Sequence, residues 1–177
     1  NLCDTKPANF ATLPEGQMSF TEAVFCLDSV PAKPDYSIKF FSNSANFAYC
    51  KPVDSVTFQS GVICCPFNFQ FKPDDAIPKI IRVTLIANHE KWFKMSKEDY
   101  LEEKKRILDF SREIIKKEIQ KNLIEDSINI VYEDFFTPCT IQRFTGHLNG
   151  AVYGSPEKIK NGSTHLKNLF ICGTDQG

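Results

Sequence analysis

Residues 79–123 read KIIRVTLIANHEKWFKMSKEDYLEEKKRILDFSREIIKKEIQKNL and place a short apolar run directly before a long charged one. The run at 79–87 has the length and β-branched content of a buried strand. Beyond it, Ser96 and Asp99 have the spacing of a helix N-terminal capping pair. Apolar residues then return at helical steps, at Leu101, Ile107, Leu108, Ile114, Ile115, Ile119 and Leu123. The stretch therefore predicts a buried strand and one amphipathic helix of about 25 residues that packs on the sheet.

The residues before this stretch are rich in β-forming side chains and turn signals. Phe20 to Val30 predicts a first strand that ends at two prolines. Short aromatic runs at 37–42 and 46–50 have the spacing of a hairpin, and 53–71 continues as one strand or two. The N-terminal residues 1–19 predict an irregular loop that leads into the first strand.

The residues after the helix alternate between apolar runs and glycine. Residues 128–136 predict another strand, and 166–173 contain a compact apolar run that predicts a last strand ending at a glycine. Between them, 137–162 is Gly-rich, has little regular periodicity and predicts a long loop. The whole pattern predicts the α+β class, with a mixed, largely antiparallel sheet and one long amphipathic helix.

Composition and charge exclude several classes of protein. The chain has 21 basic and 22 acidic side chains among 177 residues, and neither sign is gathered into one segment, which argues against a nucleic-acid partner. No apolar run approaches the roughly 20 residues that span a bilayer, and the first ten residues lack a secretion signal. The sequence thus predicts a cytoplasmic protein, with peripheral contact between its parent and a membrane left open.

The seven cysteines predict free thiols and no metal site. They form no CxxC pair, and no histidines stand at zinc-finger spacing. Cys26, Cys64 and Cys172 lie in apolar runs, which predicts burial, whereas Cys139 lies in the expected loop and is predicted to be the most exposed.

Two blocks near the C-terminal end carry the chemical information. They read TPCTIQRFTGHLNGAVYG at 137–154 and NLFICGTDQG at 168–177. In α/β folds, ligands lie beyond the carboxyl end of a strand, where glycines let the backbone approach them closely. A carboxylate such as Asp175 can accept hydrogen bonds from ribose or ribityl hydroxyls. On the ten residues 168–177 alone, an ordinary strand followed by a tight turn is favoured over a ligand site.

Together, the two blocks resemble the C-terminal region of the phytoene desaturase, carotenoid isomerase and retinol saturase family of flavoproteins. In that family a TP pair opens an aromatic, Gly-rich block that ends in a YG-like pair, and a strand with an NLF-x-x-G pattern follows. The matching positions are Thr137, Pro138, Phe144, Gly146, Gly150, Tyr153, Gly154, Asn168, Leu169, Phe170 and Gly173. The order Gly173, Thr174, Asp175 resembles the form found in retinol saturases.

The resemblance implies a function and a division of the chain. Residues 20–136 would form the substrate domain of a two-domain flavoprotein, and 137–177 would return to its FAD-binding domain through the last strand. Cofactor contacts would come from Gly173, Thr174, Asp175 and Gly177, whereas Gly150, Tyr153 and Gly154 would lie near the flavin ring or the substrate. The reaction would be the desaturation, saturation or isomerisation of an apolar, polyene-like substrate of the carotenoid or retinoid type, with hydride exchanged by the FAD. No catalytic side chain is assigned.

A GxGxxG motif does not occur in the sequence, so the Rossmann domain that grips the FAD pyrophosphate is expected outside this chain. The chain is therefore expected to be part of a larger enzyme and to be inactive by itself. Two alternatives remain. One is a stand-alone binding module whose interior, rich in the 16 phenylalanines, takes a hydrophobic ligand. The other is an interaction domain that uses the long helix.

Other side chains give weaker signals. His147 lies in the Gly-rich block and either faces substrate or lies on the surface. The adjacent pairs Asp74 with Asp75 and Glu133 with Asp134 are poor acid–base dyads, because neighbours on a strand point to opposite faces and turn carboxylates are solvated.

Overall fold

The computed structural model describes residues 14–31, 34–43, 47, 49–120, 129–164 and 167–173. Its elements are β1 (Ser19–Leu27), β2 (Ile38–Ser42), β3 (Ser60–Cys64), β4 (Ile80–Ala87), α1 (His89–Trp92), α2 (Lys97–Gln120), β5 (Ile130–Phe136) and α3 (Pro138–Thr145). Short 3-10 turns occur at Pro66–Asn68 and Leu148–Gly150. The predicted α+β class is confirmed.

The strands form one sheet in the order β2-β3-β4-β1-β5, and every neighbouring pair is antiparallel. The run at 79–87 supplies the central strand, β4, as its apolar character predicts. The predicted hairpin between 37–42 and 46–50 is not formed by the residues described there. Instead β2 pairs with β3, with Ser42 opposite Ser60. The side chain of Ile63 on β3 is buried, and this burial outweighs the local aromatic pattern in choosing the partner of β2.

Helix α2 begins as the sequence predicts. The Asp99 N–H donates to Ser96 Oγ at 3.1 Å, and the Ser96 hydroxyl donates to Asp99 Oδ2 at 2.8 Å, so the cap and the carboxylate satisfy each other. Ile107, Ser111 and Ile115 are buried, at the helical spacing of four residues. One stripe of the helix therefore packs on the sheet.

The core lies between α2 and one face of the sheet, which we call the covered face. Its buried strand residues alternate with less buried ones, as expected of strands with one face on the core. They are Ala23, Phe25, Leu27, Ile63, Ile81, Val83, Leu85 and Phe135. Trp92 closes one end of this core, with its indole N–H donating to the Ser55 carbonyl at 3.0 Å and its ring edge-on to Tyr100.

Two predictions for the C-terminal region need correction. The stretch predicted as an irregular loop begins with helix α3, because Thr137 caps it, Pro138 occupies its first turn and Gly146 ends it at φ 75°. Residues 167–173 form no strand and make a single bridge, between Ser163 and Phe170. A strand needs a neighbour to satisfy its backbone, and the described sheet does not offer one here.

Burial was predicted for the cysteines of three apolar runs, and it is confirmed for one of them. Cys64 is buried, but Cys26 is half-buried and Cys172 is exposed. Cys139 is half-buried inside α3, and Cys50 is more exposed. All six cysteines in the described ranges are free thiols. Within those ranges, no helix combines the length and the apolar character needed to cross a membrane.

Candidate functional site

The Gly-rich block is held to the sheet through α3. Thr137 Oγ1 accepts the Thr140 N–H at 3.2 Å and lies 2.9 Å from the Tyr100 hydroxyl of α2. The start of α3 is thus fixed to α2 by a buried threonine. The sequence carries this helix in its end signals, a Thr-Pro start and a glycine eight residues later.

The residues after α3, 146–154, form what we call the Gly-rich loop, which folds back onto the start of β1. The Ser19 hydroxyl donates to the Asn149 carbonyl at 2.5 Å, and the Asn149 N–H donates to Gln142 Oε1 at 2.9 Å. Asn149 and Gly150 both have positive φ, of 61° and 59°, so the chain turns sharply between them. A side chain at Gly150 would overlap with the backbone of Pro138. This glycine is therefore needed for close packing of the loop on α3.

Tyr153 and Gly154, two of the three residues predicted to lie near the flavin ring or the substrate, contact the segment at the start of β1. Tyr153 packs edge-on against Phe20 of β1, with ring centroids 5.6 Å apart. The ring centroid of Tyr49 lies 6.4 Å from that of Phe20. Burial and the neighbouring Tyr153 raise the pKa of Tyr49. Gly154 lies against Gly16, and a Cβ added to Gly16 would overlap with the Gly154 carbonyl oxygen. Tyr153 and Gly154 thus lie beside the beginning of β1, whereas Gly150 lies against Pro138 of α3.

A cleft of about 460 Å³ lies between the Gly-rich loop and the segment before β1. Its walls include Glu15, Gly16, Gly146, His147 and Gly154. The imidazole Nδ1 of His147 lies 2.7 Å from Thr145 Oγ1. The sequence left open whether His147 contacts a substrate or lies on the surface. In the structure, His147 belongs to the Gly-rich loop and lines this cleft.

The other face of the sheet, which we call the open face, is not covered by α2, and its side chains are at least partly exposed within the described residues, except for the buried Cys64 and Ile86. It carries Phe20, Glu22, Val24, Cys26, Ile38, Phe40, Val62, Cys64, Ile80, Arg82, Thr84, Ile86, Tyr132, Asp134 and Phe136. Most of these are apolar, and Ile38, Phe40 and Tyr132 are more than half exposed. Phe40 packs edge-on with Phe47 at 5.5 Å, so aromatic pairs lie both at the β2 edge and at the start of β1.

One charged pair interrupts this apolar surface and was missed by the sequence interpretation. Arg82 Nη1 lies 3.1 Å from Glu22 Oε1, on the neighbouring strands β4 and β1. Glu22 and Arg82 are each the single charged residue of a largely apolar strand, and this is the sequence signal that could have identified them. The antiparallel register places them diagonally on one face, because Arg82 is opposite Val24 and Glu22 is opposite Thr84.

The carboxylate pairs behave as predicted. Glu133 is hydrogen-bonded to Arg112 of α2, whereas Asp134 accepts the Phe135 N–H and lies on the open face. Asp75 accepts the Lys72 N–H in an exposed turn. Neither pair converges on a shared site.

The predicted cofactor residues are only partly described. Gly173 has a φ of 150°, with no atom close to where a Cβ would lie, whereas Thr174, Asp175 and Gly177 lie outside the described residues. Before Gly173, the Ile171 N–H donates to the Gly162 carbonyl at 2.8 Å. Leu169, Phe170 and Ile171 are exposed. Comparison with protein-family models, curated proteins and solved structures finds no match to this chain.

Proposed function

We propose that this chain is the substrate domain, with the segment returning to the cofactor domain, of an FAD-dependent oxidoreductase. The substrate is an apolar, polyene-like molecule of the carotenoid or retinoid type, which is desaturated, saturated or isomerised. The partner is a Rossmann domain that holds the FAD, and the isolated chain is inactive. The motif resemblance at 137–154 and 168–173 leads to this proposal.

The open face is the observation that supports it most strongly. An extended apolar molecule needs an extended apolar surface with few polar interruptions, and the walls of ligand sites are mostly apolar. The open face offers such a surface, bordered by the Phe40–Phe47 and Phe20–Tyr153 ring pairs. Tyr153 belongs to the Gly-rich loop, so the block that resembles the flavin-proximal motif lies beside the surface proposed for substrate.

The segment at 167–173 supports the proposal that a Rossmann domain is the partner. Leu169, Phe170 and Ile171 present apolar side chains to solvent, which a neighbouring strand and its domain would cover. We propose that Gly173, Thr174, Asp175 and Gly177 contact the FAD there, with Asp175 accepting hydrogen bonds from hydroxyls of the cofactor. The FAD supplies hydride exchange. The side chains of this chain bind the substrate, orient it and exclude water.

Polyene binding to the chain tests the substrate surface. Trp92 is the only tryptophan, so energy transfer from its fluorescence to a polyene reports binding without a label. Val24→Ser, on the open face, should weaken binding about tenfold because it removes apolar contact. Leu101→Ser, at an exposed position on α2, is the matched control and should have no effect. Equal effects of the two changes, or no polyene binding, would contradict the proposal.

Flavin binding by the longer protein, with its Rossmann domain, tests the cofactor assignment. Asp175→Ala should raise the FAD dissociation constant about ten- to a hundredfold, since a hydrogen bond to a charged acceptor is lost. Asp175→Asn keeps one acceptor and should fall between wild type and Ala. Equal affinities would remove Asp175 from the site. A protein that binds polyene but never FAD would be the stand-alone binding module instead.

A further inference from the structure

A buried histidine joins α1 to the segment before β1. His89 is the first residue of α1, and it is only 5% exposed. Its ring donates a hydrogen bond to the backbone carbonyl of Gln17. The Nδ1 atom is buried and has no hydrogen-bond partner among the described residues, so the donor is Nε2. The site therefore fits the neutral ring that carries its proton on Nε2, and it offers no acceptor to a second proton.

Residues 14–18, which we call the entry segment, contribute one wall of the cleft beside the Gly-rich loop. A Cβ added to Gly16 would overlap with the side chain of Ala151 and with the carbonyl oxygen of Gly154. The segment and the loop are thus in direct contact, and Ala151 is only 2% exposed. Moving the entry segment away would expose this part of the loop and widen the cleft.

Side chains on two sides hold the entry segment in place. Lys51 Nζ donates to Gln17 Oε1 at 3.0 Å, and Asn149 Nδ2 lies 3.3 Å from Glu15 Oε2. Both contacts are exposed, so water can replace either partner at little cost. The hydrogen bond from His89 to Gln17 differs, because the imidazole that donates it is buried. The state of this ring therefore has the larger influence on the position of the segment.

Protonation would place a charge on His89 where its surroundings disfavour one. Burial opposes the charged ring, and the ammonium of Lys51 repels it. Glu90 and Glu15 act in the opposite direction, but Glu90 is already bonded to Lys51 at 2.6 Å. Burial and Lys51 outweigh the two carboxylates and hold the pKa of His89 below its usual value.

Two further elements pack against α1, namely α3 and the turn at Leu148–Gly150. Their charged side chain is Arg143, whose guanidinium lies 5.4 Å from the ring centroid of Phe144. That ring is 75% exposed, so the guanidinium lies on the solvent side of α3. The charges that act on the imidazole therefore come from the entry segment, from the start of α1 and from Lys51.

We propose that His89 is a pH-dependent latch, whose neutral ring holds the entry segment against the Gly-rich loop and whose protonation releases the segment and opens the cleft. Release lets water reach the charged ring. Above the ordinary pKa of histidine, about 6.5, the latch is closed. Below it, the released form binds a proton more readily than the closed form, so its share rises by up to about tenfold per pH unit until the lower pKa of the closed form is reached. No ligand is assumed, so this inference does not rest on the proposed function.

Hydrogen exchange of backbone amides in the Gly-rich loop tests the latch. The N–H groups of Gly150, Ala151 and Gly154 donate to carbonyls within the loop at 3.0–3.1 Å, so they are protected while the loop keeps this conformation. After correction for the intrinsic pH dependence of exchange, their protection in the wild type should fall about four- to eightfold between about pH 7 and 5.5. Amides of α2 around the buried Ile107 should keep their protection, which distinguishes release of the segment from acid unfolding of the whole chain.

Two histidine variants assign the effect. His89→Gln keeps a donor for the Gln17 carbonyl but cannot be protonated, so its loop protection should not change with pH. His147→Gln changes the histidine that lines the cleft itself, and this matched control should retain the wild-type pH dependence. Loop protection in the wild type that is constant with pH would overturn the latch, and this measurement needs no variant. A pH dependence that persists in His89→Gln, or that disappears in His147→Gln, would overturn it as well.

Discussion

The two faces of the sheet are built from the same five strands and differ in what lies against them. On the covered face, Phe25 is fully buried beneath α2, whereas Phe40 on the open face is 66% exposed. Both faces are rich in apolar side chains, so hydrophobicity alone does not decide which one forms the core. Helix α2 makes that decision by covering one face. An apolar face that the described part of the chain leaves largely uncovered is typical of a surface that binds something else.

The first test of the difference between the two faces replaces one phenylalanine on each face by alanine. Phe25→Ala should lower the free energy of unfolding by about 3–5 kcal/mol, because it removes a buried ring and leaves a cavity. Phe40→Ala should cost less than about 1 kcal/mol, since most of that ring is already in solvent. Chemical denaturation of both variants measures the difference. Similar losses would mean that the open face is covered in solution and is not accessible.

The second comparison sets two glycines of the Gly-rich loop against each other. Both have positive φ, but a Cβ at Gly150 would overlap with Pro138, whereas Gly146 has open space there. Gly146→Ala should therefore cost about 1 kcal/mol from backbone conformation alone. Gly150→Ala should cost about 2–3 kcal/mol, since strain in the loop is added to that cost. Thermal unfolding followed by circular dichroism compares them. Equal melting temperatures would show that the loop does not pack on α3 as described.

The third comparison, with the smallest expected change in stability, sets a carboxylate of α2, Glu103, against one on the open face, Glu22. Burial raises the pKa of Glu103, but hydrogen bonds from Arg106 and Ser55 outweigh it and hold the pKa below its usual value. The pKa is then lower in the folded than in the unfolded state. Glu103 therefore stabilises the fold above its unfolded pKa and loses that contribution as pH falls through the folded pKa.

Glu103→Gln should accordingly lower the free energy of unfolding by about 1 kcal/mol at pH 7. This deficit should shrink as the solution is acidified. Glu22→Gln, on the open face, should cost less than about 0.5 kcal/mol, because solvent reaches both members of the Arg82–Glu22 pair, whose side chains are 41% and 28% exposed. Urea unfolding at a series of pH values tests both. A deficit for Glu103→Gln that does not change with pH would contradict the assigned cause.

Several elements of the fold were predictable because they depend on residues close in sequence. The strand at 79–87 and the capped helix after Ser96 follow from periodicity and from one side-chain cap, and both are found. Helix α3 has equally local signals, in Thr137, Pro138 and Gly146, but the glycines around it favoured a loop interpretation. The motif resemblance also singled out Gly150, Tyr153 and Gly154, and their predicted place near a flavin ring or substrate stays a prediction; in the structure Tyr153 packs on Phe20 of β1 and Gly150 lies against Pro138 of α3.

The sequence by itself determined where the main strands and the long helix form, because period-two and period-3.6 patterns and end caps act within a few residues. The tertiary structure decided the rest. It paired β2 with β3 instead of with the nearer aromatic run, and among the described residues it placed α2 on only one of the two apolar faces. It also brought Arg82 beside Glu22, across 60 positions of chain. Such contacts depend on which distant side chains share a buried interface, and that competition is settled only when the whole sheet and α2 pack together.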